Sequence, residues 1–362
     1  MSAPTITALH TSLLSPQLSR PWGPDVHQNH IIVVRIETSD GVGGTGFSWT
    51  PSIGAEAIQA LLDNDIRRFA LGRAANAYAL WQPLWKNLHE AGSGGLTTIA
   101  MAGLDLALWD YDCRAKEIPL VDRLERQHDR AQVYGSGVNL DYSLDELLEQ
   151  VDRWIAAGLT AVKVKVGKTD IFEDLDRIAA VRERIGPDRA LMLDANQRWD
   201  FETAVIATDA LAEYQPDWIE EPLRADDTPG YAELRKRVSV PVALGENAHT
   251  VQRFRDLIDA GCCDIVQPNV VRVGGITPFL AIAELARDRG VRLAPHLLPE
   301  LSGQLALALP EPTLVEDVED ATFEKLGVLA RPTGTAIEDG WFTANTEPGI
   351  GFDFAETIEE PA

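Results

Sequence analysis

The chain has little cysteine. Three residues in 362, with Cys262 and Cys263 adjacent, give neither a disulfide framework nor a zinc spacing. They read as small buried side chains in a reducing compartment. Long apolar runs are also missing: none nears the ~20 residues that a membrane-spanning helix needs. The opening, Met1 to Leu18, has no basic segment followed by an apolar core. No secretory leader is therefore expected, and a cytoplasmic location is. Positive charge is short as well, with 32 Lys and Arg against 56 Asp and Glu for a net charge of −24. That balance argues against nucleic acid and against an anionic membrane as partners. It also means that any site for an acidic ligand needs local cations or a metal. Lysine is scarcest, at seven of the 32 basic residues. The bias fits a halophilic or GC-rich host, and equally an ordinary acidic protein. A hydrophobic content of 45% is normal for a globular chain long enough for a large core.

The first third reads as an α+β module. His30 to Glu37 is a strand, Asp40-Gly41 a turn, and Gly44 to Trp49 a returning strand. Gly41 to Gly46 matches the G-x-G-x-x-G pattern of dinucleotide sites. That pattern should open a helix, but Phe47 to Pro51 follows, so a hairpin is the better reading. Ile53 to Leu71, Tyr78 to His89 and Thr97 to Arg114 have helical patterns. The third is apolar nearly all round and should be buried. Its Asp105 and Asp110 read as hydrogen-bonded structural acids.

From Gln132 the texture changes. Eight short apolar runs alternate with helix-patterned stretches. The runs are 132–138, 161–166, 190–194, 217–220, 241–244, 264–267, 291–295 and 313–316. The helices include 144–157, 171–185, 201–213 and 278–289. Strict alternation with eight strands predicts an α/β fold, a TIM-type (β/α)7β barrel behind an N-terminal α+β capping domain. The cap is expected over 1–125 and the barrel over 126–330. A Pro- and Gly-rich tail, 331–362, is expected to pack back on the cap.

Active sites of such barrels lie at the carboxyl ends of the strands. Strands three, four and five end in Asp194, Glu220 and Glu246, in equal steps of 26 residues (194 to 220, 220 to 246). Three carboxylates converging there would repel one another unless a cation joins them. Oxygen-only ligands suit magnesium. Glu221 alternates to the other side and is the weaker ligand candidate. Asn196 and Asn247 can orient ligands or substrate.

Strand two ends Lys163-Val164-Lys165, which puts both lysines on one face. Lysines facing a barrel interior are either ion-paired or used. Beside three carboxylates and a metal, use as a general base is the stronger reading. Strand six ends in Asn269, strand seven in His296 and strand eight in Glu316. The set suits a carboxylate substrate. Lys163 and the metal hold it, Lys165 reaches one face of its α-carbon, and His296 reaches the other. A second proton delivery gives either racemisation or loss of a β-hydroxyl. Glu316, if protonated, can donate to a substrate oxygen.

This order of Lys-x-Lys, Asp, Glu, Glu, His and Glu resembles the mandelate racemase subgroup of the enolase superfamily. The segments Ala107 to Asp110, Trp218 to Leu223 and Arg272 to Thr277 look like family segments too. The last two look nearest to acid-sugar dehydratases of the galactarate and talarate type. The resemblance implies one magnesium per subunit on Asp194, Glu220 and Glu246. It also implies Lys165 and His296 as acid/base pair, Lys163 on the substrate carboxylate, Glu316 on the enediolate, and a homo-oligomer. One position departs from the pattern: Asn269 stands where the family usually pairs an aspartate with the histidine. An amide can orient an imidazole but cannot stabilise its cation by charge. The lack of a strand-six lysine counts against cycloisomerase and dipeptide epimerase subgroups.

Specificity is expected from the loop 19–30, with Trp22, His27 and Asn29 as candidates to close over a small carboxylate substrate. The leading expectation is magnesium-dependent dehydration of a sugar acid to a 2-keto-3-deoxy acid. A racemase or epimerase of 2-hydroxy acids is the first rival. A barrel that binds ligand but has lost catalysis is the second.

Overall fold

A computed structural model describes residues 3–23 and 25–357. The cap opens with an antiparallel sheet of β1 (Ile6–Leu14), β2 (His30–Thr38) and β3 (Gly43–Thr50), in that order. Strand β1 had no counterpart in the sequence reading. Its alternation is blurred because only three of its nine residues, Ile6, Leu9 and Leu14, are buried, and they do not fall at a period of two. Helix α1 (Ala55–Leu61) runs through a π-helical turn (Leu62–Ile66) into α2 (Arg67–Ala70). Then come α3 (Ala77–Asn87), α4 (Leu96–Ala115) and the short α5 (Leu120–Arg123).

Helix α4 lies directly on β3. A Cβ at Gly44 would sit 2.1 Å from the Ala107 carbonyl oxygen, and one at Gly46 would sit 2.3 Å from the Ala107 nitrogen. The glycines of the G-x-G-x-x-G run therefore serve helix packing inside a hairpin. Asp110, fully buried in α4, is satisfied by Arg114 at 2.6 Å and by the backbone amides of Thr45 and Ile350. Asp110 thus serves the packing of this helix, as expected.

The barrel follows as β4 (Ala131–Ser136), α6 (Leu144–Ala156), β5 (Ala161–Lys165), α7 (Ile171–Ile185), β6 (Ala190–Asp194) and α8 (Phe201–Leu211). It continues with β7 (Trp218–Glu220), α9 (Thr228–Arg237), β8 (Val242–Leu244), α10 (Val251–Asp259) and β9 (Ile265–Val266). It ends with α11 (Ile276–Asp288), β10 (Arg292–Leu293), α12 (Pro299–Ala306) and β11 (Val315–Val318). Parallel pairing runs from β4 to β10 in sequence order, and β11 returns to pair β4. No backbone ladder joins β10 to β11 among the described residues. Side chains stitch that seam instead: the Thr313 hydroxyl donates to the Leu293 carbonyl, and the Leu297 amide donates to Glu316 at 2.9 Å. A cavity of about 600 Å³ opens beside the seam at the barrel floor, lined in part by Trp218, Ile265, Leu293 and Leu314.

Period-two alternation sorts the barrel residues. Val162, Val164 and Val166 join the outer core under the helices. Tyr134, Ala161, Met192, Trp218, Ala243, Ile265 and Ala294 fill the interior as a separate cluster. Strand eight begins later than expected and continues past Glu316 to Val318, so Glu316 lies within the strand.

The tail divides its contacts. A hairpin of β12 (Ala336–Glu338) and β13 (Trp341–Thr343) extends the barrel sheet, with β13 antiparallel to β4. Phe352 and Phe354 then pack on Phe47 of the cap, with ring centroids 5.0 and 5.6 Å away. Return to the cap was expected; the strand added to the barrel was not. No helix of the described residues is long and apolar enough to cross a membrane.

Candidate active site

Strand register builds one half of the site. Lys165 is the Cα partner of Asp194, and Asp194 is the partner of Glu220. Parallel strands in register set these side chains shoulder to shoulder, all pointing inward. Ligand oxygens of Asp194, Glu220 and Glu246 lie within 4.8 Å of one another, and all three residues are buried. Glu220 rests on a polar floor. It accepts from Gln267 at 2.7 Å, from the Trp218 indole at 3.3 Å, and from Lys163 on both oxygens at 2.9 and 3.0 Å.

Lys163 is 1% exposed, and Glu316 takes its ammonium as well, at 2.7 Å. The ion-pair reading of this lysine is thus what the structure shows. Lys165 is paired with Asp194, and its backbone amide is fixed by Asn139 at 2.9 Å. Burial disfavours the Lys165 ammonium, but the Asp194 carboxylate outweighs it and holds the group above the ordinary range. A base needs the opposite shift, which has to come from positive charge near Nζ.

Five carboxyl groups (Asp194, Glu220, Glu221, Glu246 and Glu316) are buried here. They meet three cationic side chains, Lys163, Lys165 and Arg272. The imbalance shows in the acids. Burial and Asp194 push Glu220 up to about 7. Burial and Glu246 push Glu221 well above the carboxylate range. A divalent cation on the three converging carboxylates supplies the missing charge, and hard oxygen donors fit magnesium. Glu221 is not among the converging oxygens. One of its oxygens accepts from Gln197 and Asn247, and the other is buried without a partner.

Glu316 departs from the expected proton-bearing donor. Burial favours its neutral form, but Lys163 overrides that and holds the carboxyl below the ordinary range. It is an ionised acceptor, stitched to the Leu297 amide.

The other half of the site is built from loops. Asn269 follows β9 and His296 follows β10. The Asn269 oxygen accepts from the backbone amides of Val271 and Arg272, both at 3.0 Å. Its NH2 group must then face His296 Nδ1, 3.1 Å away. An NH2 donates, so Nδ1 is the accepting, unprotonated nitrogen. With Nδ1 accepting, the ring proton is on Nε2, which lies 2.7 Å from a Glu246 oxygen. An aspartate at 269 would impose the reverse tautomer.

The predicted substrate loop touches the site through stacked groups. Trp22 packs on Trp49 with centroids 6.4 Å apart, and the Arg272 guanidinium lies 5.9 Å from the Trp49 ring. Arg272 in turn donates to the Glu246 carbonyl at 2.9 Å and to Asn247 at 2.7 Å. Asn196 is exposed at the mouth, and its backbone amide donates to Asp194 at 2.8 Å. His27 is exposed on the loop. Asn29 corrects its prediction: at 1% exposure it lies inside the cap, and neither amide atom has a hydrogen-bond partner. The loop is moored to the barrel by Ser19 to Asp320 and by Arg20, which pairs with Glu146 and stacks on Tyr142.

Gln267, Arg272 and Asn139 did not stand out in the sequence. For Gln267 a signal existed, since it is a polar residue at an inward position of an apolar strand. Asn139 and Arg272 sit in loops, where no periodicity marks them.

Comparison with known proteins agrees with this architecture. Residues 19–124 match the N-terminal domain of the mandelate racemase / muconate lactonizing enzyme family, and residues 146–358 match the enolase C-terminal domain-like family. The chain is 36% identical over 322 residues to 3,6-anhydro-alpha-L-galactonate cycloisomerase of Streptomyces coelicolor, covering 89% of this chain and 88% of that one. It is 36% identical over 330 residues to L-talarate/galactarate dehydratase of Salmonella typhimurium, covering 90% and 81%. The crystal structure of L-talarate dehydratase from Polaromonas sp. JS666, complexed with Mg and L-glucarate, superposes with a TM-score of 0.89 at 33% identity, covering 98% and 96%. A missing strand-six lysine therefore does not separate the chain from every cycloisomerase. This chain belongs to the mandelate racemase / muconate lactonizing enzyme family, within the enolase superfamily.

Proposed function

We propose that this protein is a dehydratase that removes water from a sugar acid, an aldonate or aldarate, to give a 2-keto-3-deoxy acid. The observation that carries the reading is an asymmetry. Lys165 stands on one side of the carboxylate triad, and His296 on the other presents an Nε2–H fixed by Asn269. A ring in that tautomer has its one lone pair on Nδ1, taken by Asn269, and none on Nε2 to accept an α-proton. Lys165 is then the single base.

Bound on Asp194, Glu220 and Glu246, one magnesium ion per subunit supplies the positive charge that acidifies the α-carbon of a substrate carboxylate. Lys165 takes the α-proton, and the C–H electron pair passes into an enediolate. His296 donates a hydrogen bond from Nε2, while Lys163 pairs with Glu220 and keeps Glu316 ionised. The enediolate collapses, Cα=Cβ forms and the β C–O bond breaks. The departing hydroxide takes the proton back from the Lys165 ammonium and leaves as water. The enol then tautomerises to the 2-keto acid, so atoms and charge balance. Trp22, His27 and Asn196 are assigned to substrate contact near the mouth.

The similarity to an anhydro-sugar-acid cycloisomerase favours a second reading of the same chemistry. In a 3,6-anhydro acid the β-oxygen belongs to a ring. Breaking that C–O bond opens the ring with no loss of atoms. A two-base racemase is disfavoured by the His296 tautomer.

The test is incubation with magnesium and a panel of acid sugars, anhydro acids and 2-hydroxy acids in deuterated water. Keto acid from an open-chain sugar acid is the expected result. Keto acid from anhydro acids alone selects ring opening. Inversion without keto acid, or no reaction across the panel, sinks the proposal. The proposal extends to a cytoplasmic homo-oligomer, supported by family membership and by three free, buried cysteines. Light scattering tests the assembly.

A further inference from the structure

Five barrel helices cap themselves. Ser143, Asp170, Asp200, Asp227 and Thr250 each precede a helix and accept from its first-turn amides. Helix α11 does not: Gly275 precedes it and has no side chain to offer. Its cap comes from another domain. Asp105, on α4 of the cap, accepts from the Thr277 amide at 3.0 Å. The Trp109 indole donates to the Thr277 hydroxyl at 3.0 Å, and the Trp81 indole donates to the Gly274 carbonyl at 3.0 Å. Three cap side chains thus grip residues 274–277. Room for the grip comes from glycine, since a Cβ on Gly275 would lie 2.2 Å from Asp105 Oδ2.

The gripped residues close a compact turn. Gly275 donates to the Val270 carbonyl at 2.9 Å, Gly274 to Val271 at 3.2 Å, and Val273 to Asn269 at 3.0 Å. Inside this turn lie the amides of Val271 and Arg272 that orient the Asn269 side chain. That side chain sets which nitrogen of His296 carries the proton.

We infer that Asp105 is a positioning residue: from the cap it fixes the 269–277 turn and, through Asn269, the His296 tautomer. The inference rests on His296 acting as the hydrogen-bond donor of the site. Loss of the Asp105 acceptor frees the start of α11, loosens the turn and lets the Asn269 amide rotate. Both His296 tautomers then appear. One oxygen of Asp105 is buried without a hydrogen-bond partner. Among the described residues the carboxyl is held by the start of α11 alone, through the Thr277 amide and hydroxyl and the Ile276 amide.

The test uses the full chain labelled with 15N-histidine, with the His296 signals identified by their absence in His296→Asn. In the unmodified protein, Nδ1 should appear unprotonated and Nε2 protonated. In Asp105→Ala the two nitrogens should move toward a shared, averaged position. The kcat for keto-acid formation should fall about 10-fold, the usual scale for a partner behind a reacting group, with KM little changed. Asp105→Asn keeps an acceptor oxygen and should restore both readouts. If Asp105→Ala does not fold, Trp109→Phe removes a single bond to the same turn and should shift the same signals. Unchanged His296 nitrogens in a folded Asp105→Ala, or in Trp109→Phe where that variant stands in, overturn the inference. The nitrogen readout needs no substrate, so failure of the dehydratase reading would not be mistaken for failure of this one.

Discussion

The two halves of the barrel mouth are built by different means. From β5 to β7 the reacting groups sit on strands, where hydrogen-bonded register sets their spacing, and Glu246 follows β8 by two residues. Each following helix carries its own cap. At β9 and β10 the strands are two residues long, and Asn269 and His296 lie beyond them. Their geometry comes from a turn that the cap holds at a separation of 172 residues. Metal-ligand positions are thus a local property of the barrel, whereas the opposite face of the substrate is under the control of a second domain. Chemistry common to a family can stay on the ladder while the other half varies.

Substitutions can break this contrast in graded ways. Lys165→Ala acts on the ladder half and should have the largest effect. A lost general base costs on the order of 10³-fold in kcat, with α-deuterium exchange abolished. Residual exchange near the normal rate would remove Lys165 from its role. Gly275→Ala acts on the gripped turn. Its φ of +110° suits glycine, and the added Cβ collides with Asp105. A destabilisation of about 3 kcal/mol is expected from strain and overlap together. Denaturant unfolding measures it, and a neutral result would show that the turn gives way freely.

Asn269→Asp sharpens the contrast without breaking the fold. One aspartate oxygen still accepts from Val271 and Arg272, and the other accepts from a protonated Nδ1. His296 then presents a lone pair at Nε2. The variant should exchange the α-proton from both faces and epimerise substrate slowly, where the unmodified protein exchanges from the Lys165 face alone. Stereospecific deuterium analysis decides it, and single-face exchange in the variant would contradict the tautomer assignment.

The smallest effect concerns pH and stability. Burial raises Asp105 and Glu300, which flank the histidine half, to about 7 each. In the unfolded chain both return to roughly 4. Between those values the native state holds protons that the unfolded state has released. Stability therefore falls as pH rises from about 4 to about 7. Glu300→Gln keeps the acceptor for the Phe323 amide and should flatten part of that fall in Tm against pH. An unchanged slope would show that Glu300 titrates alike in both states.

The same contrast explains what could be read from the sequence. The ladder was legible because strands and helices repeat, so that Asp194, Glu220 and Glu246 recur at one step, and because alternation puts Lys163 and Lys165 on one face. His296 was legible by its place after the seventh apolar run. Asn269 stood out by its chemistry alone. The direction in which its amide points depends on two backbone amides in a turn, which leave no trace in composition. Asp105 was read as structural, but its partner at Thr277 was hidden, since a contact across 172 residues has no local period. Asn29 was misplaced because a loop offers no alternation to tell inside from outside. Strand β1 was missed for a related reason: its faces are unevenly buried.

The seam between β10 and β11 has a consequence of its own. In a fully laddered ring, raising one strand by a residue would force every neighbour to shift and would turn its side chains to the opposite surface. The joint here is fastened by a threonine hydroxyl and a carboxylate, and neither counts residues. The seventh strand is therefore held in register from one side only, by its ladder with β9. Altering Thr313 loosens the β11 side of the joint, while that ladder goes on setting the height of the imidazole beyond its tip.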